Sequence, residues 1–227
     1  MCGIIGYSSK KKDAKDVVIA GLKNLEYRGY DSAGIATTNE NEKIMLYKAK
    51  GKIANLEEKL ETEKILSSTA IGHTRWATHG EPSETNAHPH KVGMTTLVHN
   101  GIIENYIDLK EFLINEGVSF KSSTDTEVAC AYINYMYEKT NKKSKIDAII
   151  KSCDNFRGSY AFAIIFDDEP NTIYATRKDS PLIIGLSENG NFAASDVSAI
   201  LDFTNKYILL EKDEFAKITC DNVEIYD

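Results

Sequence analysis

The sequence opens with Met1-Cys2-Gly3-Ile4-Ile5-Gly6, and this stretch governs how the remainder of the chain is interpreted. Removal of Met1, which the small side chain of Cys2 permits, leaves a cysteine that carries its own free α-amine. A thiol is the most nucleophilic of the neutral side-chain groups, and an α-amine with a pKa of roughly 7.7–8.0 is a suitable base near neutral pH. The apolar pair Ile4-Ile5 would anchor this end as a buried strand. The stretch predicts an N-terminal nucleophile; the alternative is that Cys2 packs as a small apolar residue.

Size and composition indicate one large domain. The chain has 227 residues, of which 42% are hydrophobic and 27% charged, as in an ordinary globular protein that buries a sizeable core. A net charge of −7 without a dominant Lys/Arg cluster excludes a nucleic-acid surface. No apolar stretch approaches the roughly 18 residues of a membrane span, so neither nucleic acid nor membrane is an expected partner.

The cysteines indicate a reducing compartment. Cys2, Cys130, Cys153 and Cys220 are widely spaced without a CxxC pair, and no export signal precedes them. Reduced thiols and a cytoplasmic location are therefore expected.

Hydrophobic periodicity and turn residues predict the order of helices and strands. Predicted helices cover 13–25, 53–60, 106–116, 126–138 and 146–155. Predicted strands cover 2–8, 33–38, 43–50, 69–77, 94–99, 159–166, 172–176, 182–186, 192–194, 207–210, 215–219 and 223–226. Strand 94–99 is expected to place Asn100-Gly101 at its end, and the ranges 27–34, 79–91 and 167–171 are expected to be loops or turns. Many strands with helices between them predict a single α/β (α+β) domain over 1–227, with sheet packed on sheet and helices outside.

Histidines cluster in one part of the chain, but no cofactor is expected. His73, His79, His88, His90 and His99 fall within 27 residues, yet HExxH and paired-cysteine zinc patterns are absent. The strand positions of the first and last of these predict buried or supporting side chains. Phosphate-binding GxxxxGK[ST] and serine-nucleophile GxSxG motifs are also absent. A Cys/His couple of the papain type stays open as an alternative.

Three further features would supply what an N-terminal cysteine enzyme still needs, which is an oxyanion hole and groups that bind the substrate. Asn100-Gly101 offers a side-chain amide and a backbone N–H for a developing oxyanion, although Asn-Gly is also a common tight turn. Arg75 suits a carboxylate, and the alternative is a surface salt bridge. Asp125 suits an ammonium group, and the alternative is a cap for the helix that begins there.

Six motifs together resemble the class II glutamine amidotransferases over essentially the whole chain. They are Cys2-Gly3-Ile4-Ile5-Gly6, Leu25-Glu26-Tyr27-Arg28-Gly29-Tyr30-Asp31-Ser32-Ala33-Gly34, His73-Thr74-Arg75-Trp76-Ala77-Thr78-His79-Gly80, Asn86-Ala87-His88-Pro89-His90, Val98-His99-Asn100-Gly101-Ile102-Ile103-Glu104-Asn105 and Thr124-Asp125-Thr126-Glu127. The second motif favours the branch that makes amino sugars over purine-pathway amidotransferases and asparagine synthetases. The resemblance implies a four-layer αββα sandwich of the N-terminal-nucleophile hydrolase type, without cofactor or metal.

The resemblance also implies a role for each motif residue in hydrolysis of L-glutamine to L-glutamate and ammonia. Cys2 would be the nucleophile that forms a thioester, with its α-amine handling the proton directly or through water. Asn100 and Gly101 would form the oxyanion hole. Arg75 would bind the α-carboxylate of glutamine and Asp125 its α-ammonium group, with Gly101 also at the substrate.

Four further positions match family residues around the substrate. Thr78 and His79 would belong to a loop that closes over glutamine, Trp76 would gate the exit of ammonia, and Arg28 would lie close to the nucleophile. In the family branch, ammonia passes to a sugar-isomerase domain of the same homo-oligomeric chain and converts fructose 6-phosphate to glucosamine 6-phosphate. The sequence contains no such domain, so glutamine hydrolysis without a sugar product is expected of it.

Two alternatives remain open from the sequence. One is another N-terminal-nucleophile amidohydrolase, which would act on an amide without the two charged groups of an α-amino acid. The other is a non-catalytic module that binds glutamine. A retained Met1 would place the amine in a peptide bond and block the proposed nucleophile.

Overall fold

Two antiparallel sheets pack face to face in the computed structural model, which describes residues 2–61, 65–76 and 81–227. Within these residues the helices are α1 (Ala14–Leu25), α2 (Ile53–Glu61), α3 (Tyr106–Asn115), α4 (Asp125–Lys139) and α5 (Lys145–Cys153). The strands are β1 (Gly3–Ser9), β2 (Ser32–Thr38), β3 (Ile44–Lys50), β4 (Thr69–Arg75), β5 (His90–Val92), β6 (Thr95–Ile103), β7 (Gly158–Phe166), β8 (Glu169–Lys178), β9 (Ile183–Ser187), β10 (Gly190–Ala194), β11 (Tyr207–Leu209), β12 (Phe215–Ile218) and β13 (Val223–Tyr226).

The first strand is an interior strand of the larger sheet. Seven strands follow the order β11-β9-β10-β1-β4-β2-β3, and six follow the order β13-β12-β8-β7-β6-β5. In the first sheet β1 pairs antiparallel with β10 on one side and with β4 on the other. The N-terminal end of the described chain is therefore held by two neighbouring strands.

Three hydrophobic cores define four layers. Helices α1 and α2 cover the seven-stranded sheet, and α3, α4 and α5 cover the six-stranded sheet. Successive side chains of a strand point to opposite faces, so Ile5 packs under α1 while Ile4 packs between the sheets. In β7 the large aromatic residues face the helices, and Ala161 and Ala163 face the other sheet. The predicted αββα sandwich is confirmed.

Sequence periodicity located the helices well and some strand ends less well. All five predicted helices are present, with ends displaced by two residues or fewer. The prediction that a strand ends before Asn100 is wrong, because β6 continues to Ile103 along its partner β7. Two predicted irregular segments also contain paired residues: His90–Val92 forms β5, and β8 begins at Glu169.

None of the helices in the described part of the chain has the length and apolar character needed to cross a bilayer.

Candidate active site

Cys2 immediately precedes β1 and lies against the backbone of Trp76. The Trp76 N–H donates to Cys2 Sγ at 3.3 Å, and the thiol donates back to the Trp76 carbonyl oxygen at 3.6 Å. Burial raises the pKa of the Cys2 thiol, and the hydrogen bond from Trp76 opposes that rise because it stabilises the thiolate. The Trp76 N–H therefore donates to the sulfur, but the thiol still needs a base to ionise it near neutral pH.

Asn100 and Gly101 lie beside Cys2 within the strand β6 rather than in a turn. They pair with Ala161 and Tyr160 of β7, and the Asn100 side-chain nitrogen donates to the Cys2 carbonyl oxygen at 3.1 Å. Gly101 has a φ of +118°, and a Cβ built there would lie 2.0 Å from the Ser159 carbonyl oxygen. This conformation favours glycine. The pairing of both residues with β7 excludes the tight-turn alternative for Asn-Gly.

Arg75 and Asp125 bring opposite charges to the same cavity as Cys2. Arg75 is the last residue of β4 and is only 4% exposed, so it is not part of a surface salt bridge. Burial lowers the pKa of Arg75, and the nearby Cys2, Asp125 and Asp31 oppose that shift. A guanidinium and a carboxylate close to one thiol suit a zwitterionic substrate.

The residue that caps α4 is Thr124, not Asp125. The Thr124 hydroxyl accepts from the Glu127 N–H at 3.2 Å. Asp125 instead begins the first turn, and its Oδ2 accepts from the Ile103 N–H at 2.9 Å. That bond joins α4 to the end of β6 and holds the carboxylate at the cavity.

A second cavity, of about 310 Å³, also borders the nucleophilic residue. Cys2, Trp76 and Gly101 line both cavities. The lining of the larger cavity is mostly apolar and is completed by Arg28, Asn100, Ile102, Ser180 and Pro181. Cys2 thus borders both a narrow charged cavity and a wider apolar one.

Arg28 and Trp76 form one rim of the larger cavity. Arg28 pairs with Asp196, which lies 168 residues away in the sequence. Trp76 is 45% exposed, and its ring meets Tyr30 edge-on at 5.5 Å between centroids. Gly29 lets the segment between Arg28 and β2 approach β4 closely, because a Cβ at Gly29 would lie 2.7 Å from the Arg75 carbonyl carbon.

Four histidines form a buried group behind Asn100. The His73 and His88 rings stack at 4.0 Å, with His90 and His99 beside them. Burial lowers the pKa of all four imidazoles, so they are neutral near pH 7. Within 2–61, 65–76 and 81–227, no group of three or more His, Cys, Asp or Glu side chains is arranged to hold a metal ion.

The structure brings together Cys2, Arg75, Asn100, Gly101 and Asp125, with Arg28 and Trp76 at the rim. Thr78 and His79, predicted to close over the substrate, lie outside the described residues. Sequence reasoning missed the pairing of Asp196 with Arg28, since nothing in the sequence links positions so far apart. It also missed the contact of His73 with Asn100, although it placed His73 on a buried strand.

A cysteine at the start of an interior strand of an αββα sandwich, beside amide donors, is the arrangement of the N-terminal-nucleophile hydrolases. Comparison with known proteins gives the family. A model of the glutamine amidotransferase domain matches residues 73–202, which is more than half of the chain, and the chain belongs to this family.

Named relatives lie within the same family. The whole chain is 51% identical to the glutamine–fructose-6-phosphate aminotransferase (isomerizing) of Clostridium acetobutylicum and 47% identical to that of Aquifex aeolicus. It spans only 36% and 38% of those two proteins. Among solved structures, the glutamine phosphoribosylpyrophosphate amidotransferase of B. subtilis, complexed with ADP and GMP, superposes with a TM-score of 0.84 at 28% identity, over 99% of this chain and 49% of that one.

Proposed function

We propose that this chain hydrolyses L-glutamine to L-glutamate and ammonia through a thioester on Cys2. The observation that carries the proposal is the single narrow cavity in which the thiol meets Arg75 and Asp125. These two charges match the α-carboxylate and α-ammonium groups of an α-amino acid. The family to which the chain belongs supports glutamine as that amino acid.

Binding places the glutamine side chain at the sulfur. Arg75 holds the α-carboxylate and Asp125 holds the α-ammonium group, so the amide at the far end of the side chain reaches Cys2. Two fixed charges at one end give both orientation and effective concentration at the other. Thr78 and His79 are proposed to close over the bound amino acid.

The chemistry uses the amine that removal of Met1 would release. That amine takes the thiol proton, directly or through water, and the sulfur attacks the amide carbon of glutamine. The Asn100 side-chain N–H and the Gly101 backbone N–H stabilise the oxyanion. Collapse breaks the carbon–nitrogen bond, the proton leaves with ammonia, and water then cleaves the γ-glutamyl thioester to glutamate.

The activity of a longer protein is a further part of the proposal. The curated relatives are nearly three times longer than the part matched here. We propose that such a protein passes ammonia to a sugar-isomerase domain, where fructose 6-phosphate becomes glucosamine 6-phosphate. The larger cavity, lined by Trp76, is the exit proposed for ammonia. The four free cysteines accord with the proposed cytoplasmic location. We also propose that the full-length enzyme is a homo-oligomer.

The test is production of glutamate and ammonia from glutamine by the chain whose intact mass lacks Met1. An unchanged rate of glutamine hydrolysis in Cys2→Ala would refute the proposal. Better turnover of amides without the two charged groups would favour another amidohydrolase. Binding of glutamine without turnover by the Met-free chain would favour a non-catalytic module.

A further inference from the structure

His73 makes a hydrogen bond that joins the two sheets at the active site. It lies on β4 of the seven-stranded sheet and is completely buried. Its Nε2 is 3.0 Å from Oδ1 of Asn100, which lies on β6 of the six-stranded sheet. The other end of the same amide contacts the nucleophilic residue, because Asn100 Nδ2 lies 3.1 Å from the Cys2 carbonyl oxygen.

These two contacts determine which ring nitrogen of His73 carries the proton. A carbonyl oxygen only accepts, so the amide nitrogen of Asn100 must face Cys2. The amide oxygen then faces His73, and it too only accepts. Nε2 of His73 must therefore be the N–H donor, which leaves Nδ1 as a bare acceptor. His73 Nδ1 has no hydrogen-bond partner within the described residues.

The histidine is held as a neutral, single donor. Burial lowers its pKa to about 3, with the hydrogen bond to Asn100 opposing the shift. The stacked ring of His88, at 4.0 Å, restricts rotation of the imidazole. A reversed Asn100 amide would set two oxygens about 3.1 Å apart, so this environment admits one orientation of the amide.

We propose that His73 is a positioning residue for the reaction, which fixes and polarises the Asn100 amide through its Nε2–H. One N–H of that amide is used by the Cys2 carbonyl, and the other remains for the oxyanion. Accepting a hydrogen bond at the oxygen strengthens the amide as a donor. The inference rests on the function proposed above and adds a residue that does not touch the substrate.

Two substitutions of His73 separate the donor from the bulk of the side chain. His73→Leu removes the donor, and His73→Gln returns an N–H to about the place of Nε2. Because loss of one oxyanion-hole donor costs roughly 10²–10³ in kcat, loss of its positioning in His73→Leu should lower kcat about 10- to 100-fold. The KM should change less than about threefold, since the contact acts on the nucleophilic residue and the oxyanion rather than on the groups that bind the substrate. His73→Gln should recover most of the loss.

A double-mutant cycle tests whether His73 acts through Asn100. In an Asn100→Ala background, His73→Leu should lower kcat by less than about threefold, since the amide it positions is gone. Tyr137→Phe is the matched control, because Tyr137 is equally buried and loses a hydrogen bond to Asp168 in another core. This control should lower the melting temperature and leave kcat unchanged.

The result that would overturn the proposal is equal loss in His73→Leu and His73→Gln, or a full loss in the Asn100→Ala background. If His73→Leu does not fold, ¹⁵N NMR of the wild-type histidines decides: an Nε2–H tautomer supports the assignment, and an Nδ1–H tautomer overturns it. An inactive wild-type chain with the Nε2–H tautomer would instead contradict the proposed function and leave the His73–Asn100 contact standing.

Discussion

Arg75→Lys is the substitution that tests the substrate clamp most directly. Lysine keeps the positive charge but replaces a planar fork of donors with a single ammonium group. Arg75 is only 4% exposed, so bulk water does not replace the missing donor. We expect the variant to bind the α-carboxylate through fewer hydrogen bonds and to be otherwise folded.

The expected loss follows from one charge-assisted hydrogen bond. Such a bond contributes about 1.5–3 kcal/mol, and each 1.4 kcal/mol is tenfold in affinity. The kcat/KM for glutamine should therefore fall about 10- to 150-fold, mostly through KM. The assay compares glutamine with 4-aminobutanamide, which has the amine and the amide but no carboxylate. Turnover of this analogue should be slow in the wild type and nearly unchanged in Arg75→Lys.

The comparison of the two substrates separates binding from folding. A general structural defect would lower turnover of both amides by a similar factor. An equal loss for glutamine and 4-aminobutanamide would therefore refute the assignment of Arg75 to the α-carboxylate. Glutaramate, which lacks only the amine, provides the complementary control, because its turnover should fall in Arg75→Lys as that of glutamine does.

Three other predictions concern the N-terminus and the oxyanion strand. A non-cleavable residue placed N-terminal to Cys2 should lower glutaminase activity at least about 100-fold, since the amine is lost as a base. Glutamate release, measured on a chain of verified intact mass, tests this. Full activity of the blocked chain would contradict it. In a chain that retains Met1, burial raises the pKa of the Cys2 thiol above its usual 9.0. The rate of its alkylation by iodoacetamide should therefore rise about tenfold per pH unit between pH 7 and 9. A plateau of the rate below pH 8 would contradict this. Gly101→Ala should lower the free energy of unfolding by about 2–4 kcal/mol through backbone strain and overlap with Ser159. Gly117 also has a positive φ, +88°, but open space around it, so Gly117→Ala should lower the free energy of unfolding by only about 1–2 kcal/mol. Similar urea midpoints for the two variants would refute the overlap.

The sequence predicts the layers of this fold because its periodicities are strong. Helix α1 has an apolar stripe that packs on β1 and β4, and β7 alternates large residues with alanines. Within α1, Ile19 is buried, whereas the apolar residues Val17 and Ala20 are only partly buried. The width of such an apolar stripe is set by the neighbouring sheet rather than by the helix, so the sequence does not define its edges.

The site residues were predictable where the type of side chain itself indicates the chemistry. They were less predictable where the site depends on strand pairing or on contacts between distant residues. Asn100-Gly101 has the local signature of a turn, but the pairing of β6 with β7 continues past it for two more residues, to Ile103 and Gly158. The ion pair of Arg28 with Asp196 and the contact of His73 with Asn100 join distant parts of the chain. Contacts of this kind have no periodicity or spacing in the sequence.

The position of β1 between β10 and β4 ties the reactive end of the protein to its most cooperative part. Amide hydrogens of core strands exchange with free energies that reach up to that of global unfolding, and β1 begins one residue after Cys2. The amides of Ile4 and Ile5 should therefore be among the slowest to exchange. Loss of activity in urea should coincide with loss of the sheet, so that glutamine turnover itself reports the folded population.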